Sequence, residues 1–428
     1  VTSTDPPAVA SAPPSTAPGH GRFPGWLVVT SSFVVLTTSS GLGFYGLAVY
    51  LNAFSNEKGW DVASISLATT LFFLIGGIVG VFVARAIARW DARVVIVGGG
   101  VLGAAALAVL GQVDEPWQLY VVYAVFAVGW SASGLIPATT VVTRWFHVRR
   151  SVALSVASTG LSAGGILITP AAKWLLDEQG LAAGTPWLAL VWFLGIVPVT
   201  LVLMRPDPIE LGWLPDGERL QVDQEAPPLT GVPFTEAVRS RFFVLFTIGY
   251  LLALGAQVGA IQQLVKLMEE RTDRSGAALA TLFLAGTSVV ARLIGGRVAS
   301  RLPMMPLAIG LVLGQMVAMI LIAVLDVKWA LFAAIILFGA TIGNILMLQP
   351  LIVADRFGVL DYPRIFSRAQ LVAVIGTAGG PLLLGWLHDN AGGYGTAYTV
   401  AAVASLIAAL ILFWAGAGER RGATVSNS

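Results

Sequence analysis

The chain contains no cysteine, which excludes disulfides, thiol nucleophiles and thiolate metal sites. Histidine is almost as scarce. His20, His147 and His388 lie far apart in sequence, which argues against a histidine metal cluster. Charge is sparse too: only 11% of the 428 residues are Asp, Glu, Lys or Arg, against about 25% in a typical soluble protein. The net charge of +2 gives no sign of a nucleic-acid partner, and what matters is where the charges lie. No GxxxxGK[ST] phosphate loop is present, and no nucleophile–base pair stands out. Neither an enzyme nor a cofactor is therefore expected. The first 24 residues lack a basic segment followed by an apolar one, so they do not read as a signal peptide. Their Pro, Ala, Ser and Thr content reads as a disordered tail.

What fills the chain instead is apolar sequence, 56% of all residues. Twelve apolar runs can be traced, at about 26–53, 61–85, 93–112, 117–143, 150–175, 187–204, 241–268, 275–299, 305–325, 329–353, 364–388 and 395–416. Most reach the length of about 20 residues that a membrane-spanning helix needs. A β-barrel would instead show strands of about 10 residues with alternating polarity. The fold class is an all-α membrane protein of twelve transmembrane helices in two six-helix, pseudo-symmetric halves, embedded in a lipid bilayer.

The breaks between runs alternate in charge. Arg85, Arg89 and Arg93 lie on one side, with Arg144, Arg149 and Arg150, then Arg297 and Arg301, then Arg356, Arg364 and Arg368, and finally Arg420 and Arg421. The opposite breaks carry Glu57 with Lys58, Asp114 with Glu115, and Asp177 with Glu178. Basic loops stay in the cytoplasm, so both termini are expected there, in an inner or plasma membrane. The expected organisation is a tail (1–24), a six-helix half (25–204), a polar, proline-rich cytoplasmic linker (205–240), a second six-helix half (241–417) and a cytoplasmic tail (418–428). The halves echo each other. Gly160, Gly164, Gly165 and Pro170 in the fifth span match Gly376, Gly379, Gly380 and Pro381 in the eleventh. Parallel six-helix halves with substrate bound between them define one large transporter class.

One charge stands inside a span. Arg292 lies within TLFLAGTSVVARLIGG, residues 281–296. An arginine at such depth costs about 2.5–3.5 kcal/mol on insertion scales, so it normally faces a protein interior or a watery cavity. A guanidinium binds a carboxylate through two parallel hydrogen bonds. The competing reading is a structural arginine satisfied by backbone carbonyls. Polar residues at similar depth are Tyr45, Ser131, Ser133, Gln257, Asn344 and Thr377; each either meets a ligand or joins neighbouring helices. His388-Asp389 reads as a solvated turn at the end of the eleventh span.

Several stretches taken in order resemble the major facilitator superfamily: GFYGLAVYLNAF (43–54), GWDVASISLATTLF (59–72), ARWDARVVIVGG (88–99), TRWFHVRRSVALSVASTG (143–160), ELGWLPDGE (210–218), TEAVRSRFF (235–243), VADRFG (353–358) and GTAGGPLLLGWLHDNAGGY (376–394). The finer pattern is similar to the bacterial monocarboxylate and oxalate/formate transporter-like branch. That resemblance implies alternating access by two rocking halves, and small carboxylate substrates often moved with protons. It places the branch's functional arginine on Arg292. Three departures follow from the same resemblance. Ser288 stands where animal members carry an aspartate, one turn before the arginine. Tyr45 stands where they carry a lysine, and Thr377 lies in the region where oxalate-type members add another. A lone cation favours a monoanion, and no deeply embedded carboxylate offers itself as a proton carrier. Arg89, Asp91 and Arg93, with their echo Arg297 and Arg301, resemble the superfamily's loop motif, which implies gating salt bridges at helix ends; topology alone also explains them. The expectation is a monomeric secondary transporter of a small organic monoanion such as lactate or pyruvate, with or without a proton. The alternatives are a transporter of neutral or cationic solutes on the same fold, and a transport-inactive sensor.

Overall fold

A bilayer offers the backbone no hydrogen-bond partners, so each apolar run has to close its own bonds as a helix. The computed structural model describes residues 23–220, 228–272 and 274–425. The first span is two helices, α1 (Gly25–Gly43) and α2 (Gly46–Lys58), broken at Phe44-Tyr45. Then come α3 (Val62–Arg89) and α4 (Ala92–Leu110), whose first turns are capped by the carboxylates of Asp61 and Asp91. The fourth span is also broken, into α5 (Pro116–Ala132) and α6 (Leu135–Trp145). Next, α7 (Arg150–Ala163) passes through a π-helical turn, Gly164–Ile168, into α8 (Thr169–Leu203).

The continuous stretch Arg150–Leu203 has 54 residues. At 1.5 Å per residue that is about 80 Å, far beyond one bilayer core of about 30 Å. The chain folds back at Gly180, where φ is 74° and ψ is 173°. Glu57 of α2 caps the return, accepting from the Leu181 N–H with both carboxylate oxygens at 3.0 Å. Among the described residues eleven stretches are long and apolar enough to cross a membrane, and this one crosses twice, giving twelve spans. The second half contributes α10 (Arg241–Arg271), α11 (Arg274–Ala299), α12 (Met304–Val324), α13 (Lys328–Phe357), α14 (Tyr362–Asn390) and α15 (Gly393–Val425), after a short α9 (Phe234–Arg239).

The two halves repeat one packing rule. In the first, α7 lies tight against α1; in the second, α14 lies tight against α10. Glycine makes both approaches possible. A Cβ on Gly164 would strike the Thr37 carbonyl and stand 2.6 Å from the Gly41 nitrogen, both on α1. A Cβ on Gly380 would strike the Gly255 carbonyl on α10. The halves meet along two seams, α3 against α14 and α7 against α11.

Further contacts across the seam, between α13 and α7 and between α14 and α6, reach the end of the bundle that carries the linker. Arg150 of α7 interacts there electrostatically with Asp355 and Tyr362 of the other half. The linker is fastened on both sides. Asp216, held at a φ of 67°, accepts from the backbone N–H groups of His147, Val148 and Arg149 at 2.9, 2.7 and 3.1 Å. Further on, the Val232 N–H donates to the Phe357 carbonyl at 2.8 Å, and the Val359 N–H donates to Thr230 at 3.0 Å.

Candidate functional site

The helix α11 carries Arg292 into the seam between the halves. Its side chain is 2% exposed, and it is the only charged side chain buried among the described residues. An uncompensated guanidinium there would be costly, and the fold answers with carbonyl oxygens. Nε donates to Gly343 of α13 at 3.0 Å, and Nη1 donates to the Ser158 carbonyl of α7, in the opposite half. The contact is reciprocal: Ser155 Oγ donates to the Arg292 carbonyl at 2.5 Å. Among the described residues no acceptor meets Nη2.

Small residues bring the three helices this close. A Cβ on Gly343 would stand 2.5 Å from the Ser288 carbonyl oxygen and 3.0 Å from both Arg292 Nε and Ser288 Oγ. A Cβ on Gly296 would strike Ser155. Ser288 Oγ is buried without a partner beside Arg292. Asn344, one position after Gly343, donates to Ala291 and Ala340 carbonyls, both at 3.0 Å. Its Oδ1 lies buried against Gly295 without a partner. Asn344 thus ties α13 to α11 immediately before Arg292.

Tyr45 joins this group from the first half. The break between α1 and α2 releases the helix register, and its ring lies on Gly165 in the π-helical turn of the fifth span, where a Cβ would come within 2.8 Å. The phenol and the Arg292 guanidinium interact electrostatically, and Tyr45 keeps 39% of its surface accessible. Arg292, Ser288 and Asn344 therefore gather at one place, with the Tyr45 phenol within electrostatic range of the guanidinium.

The remaining candidates are placed elsewhere. Gln257 donates to Gln315 Oε1 at 2.7 Å, and Gln315 in turn reaches Ala253 and Ser405, each at 3.0 Å. This buried network joins α10, α12 and α15 within the second half. Ser133 Oγ returns to the Gly129 carbonyl at 2.7 Å at the α5–α6 break. Ser131 Oγ reaches Gly76 of α3 at 3.0 Å, and Thr377 Oγ1 reaches Val374 at 3.1 Å.

The charged turns are local as well. Asp91 caps α4 and pairs with Arg93 at 2.6 Å. Burial pushes its carboxyl up, but the hydrogen bonds and charge of Arg93, with the charge of Arg144, hold it below the usual carboxylate range. Arg89, Arg297 and Arg301 are exposed.

Sequence reasoning did not name Ser155, Ser158 or Gly343, because two of them act through carbonyl oxygens that any residue supplies. The helix breaks were also unread, although Gly43 and Gly46 around Tyr45, and Gly164-Gly165, mark them.

Comparison with known proteins agrees with this architecture. The family model described as Major Facilitator Superfamily matches residues 33–359, and the chain belongs to that family, as a multi-pass membrane transporter. Human monocarboxylate transporter 11 is 27% identical over 414 residues, spanning 91% of this chain and 82% of that protein. Monocarboxylate transporter 10 of Danio rerio is 26% identical over 430 residues, spanning 96% and 82%. Among solved structures, the fucose transporter FucP in the outward conformation superposes with a TM-score of 0.69 at 17% identity, covering 92% of this chain and 98% of that one.

Proposed function

We propose that the protein is a secondary transporter of a small organic monoanion, a monocarboxylate such as lactate or pyruvate, working by alternating access. The observation that carries this reading is Arg292: the one cation buried among the described residues, at the seam of two helical halves, with no described acceptor on Nη2. A carboxylate arriving at that edge gains two charge-assisted hydrogen bonds, stronger than the neutral Ser158 carbonyl offers. Tyr45 and Ser288 stand beside it as hydroxyl donors. The names of the monocarboxylate relatives point the same way.

The halves correspond to residues 25–204 and 241–417, joined by the 205–240 linker. The arginine-rich turns support a cytoplasmic linker and cytoplasmic termini, in an inner or plasma membrane. Arg89, Asp91, Arg93, Arg297 and Arg301 then act at the cytoplasmic helix ends. No carboxylate is buried among the described residues, so a co-transported proton would travel on the substrate.

The test is uptake of labelled lactate, pyruvate and acetate into proteoliposomes, with and without an inward proton gradient. The Arg292→Gln variant runs alongside. Uptake lost in the variant is the expected result, and its response to the gradient decides coupling. If the variant carries these acids equally well, Arg292 serves the Gly343 and Ser158 carbonyls alone, and a neutral or cationic solute becomes the substrate class.

A further inference from the structure

Beside Arg292 the first half presents a row of aromatic rings. The Tyr45 ring meets the Phe44 ring edge-on, with centroids 5.0 Å apart. Phe44 meets Phe73 of α3 at 5.6 Å, and Phe73 meets Trp130 of α5 at 6.1 Å. Trp130 is seated on backbone: a Cβ on Gly76 of α3 would come within 3.2 Å of its ring, and one on Gly43 of α1 would strike it. The row faces the seam: Phe73 lies one turn before Gly77 on α3, and a Cβ on Gly77 would stand 3.3 Å from Val374 of α14 in the other half. None of the four rings is sealed. Phe44, Phe73 and Trp130 are half-buried, and Tyr45 is the most accessible.

An acid of two or three carbons bound at Arg292 would leave this wall uncovered. Aromatic rings left part-exposed in an interior gain most from a further ring packed in an edge or offset geometry. The charge inventory narrows the ligand again. An ammonium group beside the carboxylate would need a counter-charge, and no Asp or Glu is buried among the described residues. We infer that, among monocarboxylates, the site prefers an aromatic acid without an amino group, its carboxylate on Arg292 and its ring against Phe44, Phe73 and Trp130. This assignment rests on the reading of Arg292 as a carboxylate site.

The test compares acids that differ in one group. Affinities of the purified protein for propionate, 3-phenylpropionate and 3-cyclohexylpropionate are measured by calorimetry, and their uptake is followed in proteoliposomes. The phenyl acid is expected to bind at least about tenfold tighter than propionate and more tightly than the cyclohexyl acid, since ring–ring geometry adds to area burial. In Phe73→Leu and in Phe44→Leu the phenyl preference shrinks severalfold while propionate binding holds. Both substitutions keep an apolar side chain, so loss of folding does not mimic the result.

A phenyl-to-propionate ratio within about twofold, a ratio unchanged in both leucine variants, or equal binding of the cyclohexyl acid overturns the aromatic assignment. If binding in those cases is still lost in Arg292→Gln, the carboxylate reading stands without it. Binding of none of the acids, or binding that ignores Arg292, overturns both.

Discussion

At the scale of single residues, the behaviour of Arg292 depends on the fit around Gly343. Nε and Nη1 point in fixed directions on a planar fork, one toward each half of the protein. A lysine at this position keeps the charge but presents a compact ammonium on a flexible stem, which cannot hold both directions and still offer an open edge. Arg292→Lys is therefore expected to fold and to lose most carboxylate uptake, on the order of tenfold or more, because a bidentate arginine site does not tolerate this exchange. Parallel uptake and melting measurements check it. Gly343→Ala attacks the same geometry from behind. The added methyl would stand 2.5 Å from the Ser288 carbonyl oxygen, on helix backbone that cannot turn aside. Overpacking of this kind costs about 1–3 kcal/mol. The variant should melt lower than the wild type and bind carboxylate more weakly, and unchanged values of both would show that α11 and α13 can separate freely here.

Individual helices show where a linear reading succeeds and where it stops. The twelve apolar runs were legible because bilayer thickness dictates run length directly. Arg292 was legible because a lone charge in such a run is expensive. The break at Phe44-Tyr45 and the π-helical turn at Gly164–Ile168 were not, since hydropathy does not change where a helix shifts register. The placement of Gln257 was not legible either, because depth in the membrane fixes the level of a side chain and not its direction. The Gln257 side chain turns to Gln315. Helix contact makes a prediction of its own. Gly164→Ala should lower the melting temperature, because the methyl meets α1 backbone at Thr37 and Gly41. Gly286→Ala and Gly310→Ala, with nothing within 4 Å of the new methyl, should leave it unchanged or raise it. A helix interior favours alanine over glycine by about 0.5–1 kcal/mol. Thermal unfolding of the three variants in one detergent separates the two outcomes.

For the molecule as a whole, the absence of cysteine turns the α3–α14 seam into a testable joint. A Cβ on Gly77 would lie 3.4 Å from the Val374 Cβ across the two halves. Disulfides form with Cβ atoms about 3.5–4.5 Å apart, so Gly77→Cys with Val374→Cys should oxidise readily in the resting state. No native thiol competes with the pair. If the halves rock as bodies, a covalent bond through the seam holds them in one arrangement, and substrate then reaches Arg292 from one side of the membrane only. Oxidised proteoliposomes should bind carboxylate yet fail to accumulate it, and a reductant should restore uptake. Each single-cysteine variant should transport under both conditions, which separates the cross-link from the substitutions themselves. Full uptake through an oxidised seam, with the disulfide confirmed by gel mobility, would mean that α3 and α14 do not move apart at this level. The motion would then have to be sought at the linker end, where Arg150 faces Asp355 and Tyr362.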